Sequence, residues 1–296
     1  MRSLLFIYNP TAGKGQIRAY LPIILETFDR AGFRTTIHFT QGKDDATLTA
    51  AQLGDKFDRV VCCGGDGTLN EVVTGLMSIP CPPPLGYIPA GTTNDSAKNF
   101  QIPKDVEEAA ATAAFGLPRP WDVGFFNGRP FAYVAAFGAF TQVSYDTPQE
   151  LKNLFGHLAY VLAGAASIPT IQPYTMKIEH DNGVLTGNFI YGMVANTFSV
   201  GGFDMFPPGE VQLNDGLHEV MLVREVRTPV ELHNLVQSLI QRKPVGRDQV
   251  LVFHTSHLSI TSKTPVPWTL DGEYGGSPIQ ADISNHKCAL SVACGS

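Results

Sequence analysis

A chain of 296 residues is long for one domain and comfortable for two, at ~150 residues each. Its 44% hydrophobic and 16% charged residues describe an ordinary globular protein, and a net charge of -6 argues against a dedicated nucleic-acid binder, which carries a basic excess. Five cysteines, an odd number without a C-x-x-C pair, point to reduced thiols in the cytoplasm; no stretch approaches the ~20 apolar residues of a membrane span, and the opening MRSLLFIYNP is too short an apolar run for a signal peptide.

In chain order, residues 3–8 read as a first strand, followed by the loop Asn9-Pro10-Thr11-Ala12-Gly13-Lys14-Gly15 and an amphipathic helix over 16–31. The loop stands at the end of a strand, the edge at which open α/β sheets bind ligands. It lacks the G-x-x-x-x-G-K-[ST] spacing of a Walker A motif. Residues 35–39 read as a second strand, ended by Thr40, and 44–53 as a charged, Ala-rich helix. Next comes RVVCCGGDGTLNEVVTG, residues 59–75. Val60, Val61, Cys62 and Cys63 run apolar without alternation, as in a strand buried on both faces. Gly64, Gly65 and Gly67 let a ligand approach the backbone. Leu69, Val72, Val73 and Leu76 form a helical stripe, with Thr68 expected as cap and Glu71 as its capping-box partner. A helix N-terminus behind a glycine turn is a ready anion site. Asp66 sharpens the signal, because a carboxylate beside phosphates repels them unless a cation lies between. It implies a divalent metal, Mg²⁺ first; the plainer alternative is an acid that only hydrogen-bonds its own loop.

The pattern then repeats. Residues 85–88 read as a strand, 89–91 as a turn, and Thr92, Thr93, Asn94 and Asp95 open a helix, placing a second acid beside a glycine turn. Four such residues also serve as redundant caps. The G-x-G-x-x-G dinucleotide fingerprint is absent. A short Ala-rich helix over 106–114 precedes LPRPW at 117–121, where the composition changes. Beyond it, 131–140, 174–180, 187–196, 217–225, 250–261 and 289–293 read as strands, with a hairpin turn at His180-Asp181-Asn182-Gly183. Helices are expected over 151–167 and 230–241. The fold class is α/β: an N-terminal α/β domain with a mostly parallel sheet over 1–120, and a C-terminal β-rich, sandwich-like domain over 121–296 whose last few residues are free to return to the first.

GGDGTLNE at 64–71, GTTND at 91–95 and LDGE at 270–273, with NPTAGKG at the start, resemble the diacylglycerol kinase and sphingosine kinase family, above all its soluble bacterial lipid kinases. The motifs stand in the family's order and span nearly the whole chain. The resemblance implies a nucleotide-binding domain and a lipid-substrate domain with the active site in the cleft between them. It implies ATP with its phosphates on the turn of Gly64, Gly65, Asp66, Gly67 and Thr68, beside Asn9, Pro10, Thr11, Ala12 and Gly13. Thr40, Asn70, Glu71, Thr92, Thr93 and Asn94 are further candidates for that site, and Lys14 for a phosphate or headgroup contact. Asp66, Asp95 and Asp122 are expected to hold the catalytic Mg²⁺, partly through water, although a solvated turn residue explains Asp122 equally well. Asp271 is the expected base for the acceptor hydroxyl; Glu273 would orient it, contact the metal or be the base itself. Without the family, a D-G hairpin turn explains 271–272 better. In similar bacterial enzymes the segment matching QLNDGLHE holds a structural Mg²⁺, which carries to Asp215 with the carbonyls of Gln212 and Leu217.

For a lipid, 155–168 offers an acyl groove or, equally, core packing. Phe203, Met205 and Phe206 offer a loop lip, and Arg18, Lys98 and Lys152 contacts for anionic headgroups. His254 and His257 read as structural. The expected function is a cytoplasmic, peripheral-membrane, Mg²⁺-dependent kinase that moves the γ-phosphate of ATP to a lipid hydroxyl, diacylglycerol first, with no nucleic-acid partner and a homodimer left open. The rivals are a kinase of a soluble alcohol resembling NAD kinase, and a non-catalytic nucleotide or lipid sensor.

Overall fold

The computed structural model describes residues 1–92, 94–138, 172–200, 203–204, 211–228, 231, 235 and 249–295. Thr93, Lys152, Met205, Phe206, the candidate groove at 155–168, the helix expected over 151–167, nearly all of that over 230–241 and the side chains of Lys14 and Phe203 lie outside the described residues.

The first half alternates strand and helix. Strands β1 (Arg2–Tyr8), β2 (Phe33–Phe39), β3 (Arg59–Gly64) and β4 (Leu85–Pro89) lie side by side in the order β4, β3, β1, β2, all parallel. β3 and β4 are buried along their whole length, which accounts for their unbroken apolar runs. Helices α1 (Leu21–Arg30), α2 (Asp45–Leu53), α3 (Asp66–Leu76), α4 (Asp95–Asn99) and α5 (Val106–Phe115) supply the crossovers and the layer beyond β4. The helix expected over 16–31 is divided: Ala12–Tyr20 is a 3₁₀ segment, and α1 starts at Leu21 with Pro22 in its first turn. Proline has no N–H to continue an earlier helix but tolerates a first turn well.

After α5 the chain turns to antiparallel strands. β5 (Leu117–Phe126), β6 (Arg129–Phe131), β7 (Val134–Gly138), β8 (Tyr174–His180) and β9 (Gly183–Ala195) are followed by the two-residue strands β10 (Ser199–Val200) and β11 (Phe203–Asp204). Then come β12 (His218–Arg224), β13 (Val250–Thr255), β14 (His257–Ser262), β15 (Trp268–Leu270), β16 (Glu273–Gly276) and β17 (Gln280–Cys294). LPRPW forms the first half of β5. Pro118 and Pro120 are tolerated because that stretch pairs with β17 alone, leaving the other edge without need of N–H donors. The single strand expected over 250–261 is two, broken at Ser256, and the one expected at 289–293 is the end of the 15-residue β17.

The C-terminal unit is sandwich-like and stays hydrogen-bonded to the first: β17 pairs with β14 and β5 antiparallel and meets β4 in parallel at Val292 and Leu85. One hydrophobic cluster lies around β1, β3 and β4, a second around Phe137, Phe189, Trp268 and Ile283.

Candidate active site

Register places the first candidates. Tyr8 stands opposite Cys63, Cys63 opposite Ile88 and Gly64 opposite Pro89, so β1, β3 and β4 end together and their loops emerge side by side. Glycine permits that crowding. A Cβ on Gly91 would lie 2.7 Å from Gly65 Cα, and one on Gly13, whose φ is +57, 2.8 Å from the Ala90 carbonyl oxygen. Polar bonds lock the loops. Asn9 Nδ2 donates to Thr68 Oγ1 (3.0 Å) while its Oδ1 accepts from the Thr11 amide and hydroxyl. Ala90 N donates to Gly64 O (2.8 Å), Tyr87 Oη donates to the same carbonyl (3.2 Å), and Asn94 closes its turn through both ends of its amide onto Gly91. The Thr40 amide donates to Tyr8 O, bringing the β2 loop alongside. Gly13, Gln16, Tyr20, Gly91, Asn94 and Lys98 line a cavity of about 430 Å³ beside these turns.

The helix after the turn begins earlier than its sequence suggests. Gly65 is the N-cap of α3 and Asp66 its first residue, so Thr68 lies within the first turn and caps nothing. Asp66 turns outward and accepts from the Asp95 and Ser96 amides (both 3.3 Å), so the starts of α3 and α4 meet on one carboxylate. Burial raises its pKa; the Ser96 amide pulls it down and the neighbouring Asp95 charge raises it again. Asp95 is 2% exposed, with Lys98 Nζ 3.6 Å away. Glu71 does not serve α3 either: its carboxylate accepts from the Asp44 and Ala46 amides (3.2 and 3.3 Å) and caps α2 across the layer. Asn70 is buried within α3 with the Thr74 hydroxyl 3.5 Å from its Oδ1. Burial pushes the Cys63 thiol up to about 12, which leaves it an inert core residue.

Asp271 comes from the β15–β16 hairpin, at φ +50. Its carboxylate sits in a cradle of three successive amides, Ala132 (2.5 Å), Tyr133 (3.0 Å) and Val134 (2.9 Å). Burial lifts its pKa to about 6 against the pull of those amides, and the Asp66 charge adds to the rise. The acids at 66 and 271, far apart in the chain, are thus near enough for the charge of one to act on the other. Glu273 lies further out, half-exposed, with Lys43 at 3.3 Å and Arg129 at 4.0 Å.

Comparison with known proteins decides the family. Residues 3–126 match the diacylglycerol kinase catalytic domain, and 135–293 the YegS C-terminal NAD kinase beta sandwich-like domain. A diacylglycerol kinase of Bacillus subtilis (strain 168) is 35% identical over 278 residues, covering 93% of this chain and 91% of the relative. The chain belongs to the diacylglycerol kinase family. A second relative of that name, from Staphylococcus haemolyticus (strain JCSC1435), is 35% identical over 287 residues, 97% of this chain and 86% of its own. The crystal structure of a diacylglycerol kinase from Bacillus anthracis str. Sterne shares the fold at a TM-score of 0.78 and 23% identity, over 99% of this chain and 97% of that one. The protein is thus an enzyme, a phosphotransferase of the lipid-kinase type.

The kinase's remaining acids gather near the loop before β12. Asp122, fully buried on β5, accepts from the Gly216 and Cys288 amides (2.6 Å each) and receives the Asn196 side-chain amide on its carbonyl. One carboxylate oxygen holds the loop before β12 and the other holds β17, beside Asp215, whose charge adds to the rise in pKa that burial causes. Asp215 Oδ1 accepts from the Leu217 amide (2.8 Å), and the Leu217 carbonyl accepts from Asn285 Nδ2 (3.0 Å). Around this loop Asn196 Oδ1, Asn285 Oδ1 and both Glu219 carboxylate oxygens are buried without a donor, and burial lifts Glu219 to about 8. Such a surplus of acceptors fits a hydrated cation. Among the described residues no three His, Cys, Asp or Glu side chains form a metal cluster.

Three residues of the kinase's cleft carry no sequence signal. Lys43 and Arg129 read as ordinary surface charges, yet reach Glu273 from the β2–α2 loop and the start of β6. Tyr133 reads as one more apolar position in FAYV, yet Asp271, Asp66 and Asp95 all raise its phenol, after burial, well above the usual value. The described helices include none long and apolar enough to cross a membrane.

Proposed function

We propose that this kinase transfers the γ-phosphate of ATP to a diacylglycerol hydroxyl in the cleft between its two units, divided near residue 120, at a membrane surface facing the cytoplasm. The observation that supports this reading is that Asp271, cradled by the opposite unit, lies near enough to feel the charge of Asp66 on the glycine turn.

The turn of Gly64, Gly65, Gly67 and Thr68 offers unencumbered backbone at the start of α3, with Asn9 and Thr11 alongside, which suits the phosphates of a nucleotide. Asp66 and Asp95 are close acids with one lysine beside them, a donor set that suits Mg²⁺; Asp215, with the carbonyls of Gln212 and Leu217, would hold a second. Bound Mg²⁺ would supply neutralisation of phosphate charge. Asp271 takes the acceptor proton: the amide cradle fixes its position, and a pKa near 6 lets it be ionised yet basic at neutral pH. Phosphoryl transfer asks mainly for placement and charge compensation, and these residues supply both. Glu273 pairs with Lys43 of the first unit.

Radiolabelled ATP offered with diacylglycerols, sphingoid bases, NAD and glycerol tests the reading. Label in phosphatidic acid is expected. Label only in a soluble alcohol would overturn the lipid assignment, and none in any acceptor would overturn the catalytic one.

A further inference from the structure

Tyr133 occupies the connection between β6 and β7, and its backbone is pinned from both sides. Its amide donates to Asp271 Oδ1 at 3.0 Å, and its carbonyl accepts from the Asn196 amide at 3.0 Å. The side chain leaves its own unit and packs against the hydrophobic cluster around β1, β3 and β4. Its phenol lies where the charges of Asp271, Asp66 and Asp95 are all felt, beside Tyr87, whose hydroxyl is already bonded to Gly64 O. The Tyr133 hydroxyl makes no hydrogen bond to a described residue. Tyr133 is half-buried, so this hydroxyl at the junction of the two units stays within reach of a ligand.

On the reading of the site given above, we propose that the Tyr133 hydroxyl donates a hydrogen bond to the phosphoryl group as it crosses from nucleotide to acceptor. The surrounding acids accept bonds and cannot give them, so a phosphoryl oxygen arriving between Asp66 and Asp271 needs a neutral donor there. In the transfer the acceptor oxygen bonds to the γ-phosphorus as the bond to the leaving ADP oxygen breaks. ADP departs with that electron pair, the acceptor proton goes to Asp271, and Tyr133 keeps its own. A donor placed for charge that moves during reaction acts on turnover more than on binding.

Tyr133→Phe removes only the hydroxyl and keeps the packed ring. Assayed with Mg²⁺-ATP and diacylglycerol in mixed micelles, it is expected to lower kcat by about 10²-fold with both KM values within about threefold of the parent and an unchanged melting temperature. A kcat within about threefold of the parent, or a loss confined to KM, overturns the proposal. Should the Phe variant not fold, 3-fluorotyrosine at 133 keeps the shape and sharpens the donor; kcat is expected to move while KM stays, and an unchanged kcat overturns the proposal on its own. If the parent itself moves no phosphate, the underlying reading fails along with it, whereas an active parent with an inert Asp271→Asn and a fully active Tyr133→Phe sinks only the role of Tyr133.

Discussion

Asp271 shows how one carboxylate is set by backbone rather than by neighbouring charge. Its three amides make Asn a poor substitute, since one oxygen replaces two and at least one buried amide loses its acceptor, at a cost of about 1–3 kcal/mol. Asp271→Asn is therefore expected to drop kcat by about 10³-fold or more and to lower the melting temperature by several degrees. Glu273→Gln, which breaks a half-exposed pair, should keep kcat within about tenfold; the reverse ranking would make Glu273 the base. The pKa near 6 adds a pH dependence. As a base Asp271 works only when ionised, so kcat should fall about tenfold per pH unit below about 6. Stability responds with the opposite sign, because the folded chain holds this proton more tightly than the unfolded one: its contribution rises as pH falls from about 6 toward 3.8. An acid limb near pH 4 in the rate profile would count against Asp271. Asp66 and Asp95 stood out in the sequence as acids beside glycine turns, whereas Asp271 stood out only through the family resemblance. The company kept by Asp122 was not legible there, since its donors Gly216 and Cys288 lie 94 and 166 residues away.

Helix ends are where local rules misread this chain. Thr68 and Glu71 have the spacing of a capping box, but α3 opens at Gly65, and Glu71 is drawn to the bare amides of α2 instead. A cap borrowed from another helix leaves no trace in a sequence window, whereas the strands of the parallel sheet do, because burial on both faces writes itself as apolar runs. The glycine turns offer a test that separates fold from ligand. Gly91→Ala puts a Cβ 2.7 Å from Gly65 Cα and should unsettle the packed loops, costing ~1–3 kcal/mol. At Gly67 a Cβ meets nothing within 4 Å, so Gly67→Ala should melt like the parent yet raise KM for ATP about tenfold or more, by standing where phosphates approach. Equal KM values would remove that turn from the nucleotide site. The loop before β12 has its own test: millimolar Mg²⁺ should raise the melting temperature of the parent but not of Asp215→Asn, and an equal rise in both would place the stabilising cation elsewhere.

The whole molecule hangs on β17. Leu290, Val292 and Cys294 belong to the first hydrophobic cluster, Ala281 and Ile283 to the second, so a single strand is built into both cores. Sequence reading sees a five-residue strand at 289–293; it does not see that the preceding stretch is the same strand, because Asn285, His286, Lys287 and Cys288 break the alternation. The structure accounts for the break: the pairing of β17 with β5 shifts register between His286 and Leu290, and Cys288, at φ +53, turns its amide to Asp122. That bulge ties the loop carrying Asp215 to the strand shared by the two cores. A strand common to both cores makes their stabilities inseparable, and calorimetry can see it. Leu290→Ala, a loss of about 2–5 kcal/mol in the first core, should lower one undivided transition, because unfolding the first core strips β17 from β14 as well. If instead the endotherm split, with a destabilised peak for the N-terminal unit and an unmoved one for the β-rich unit, β17 would be a tether between independent domains.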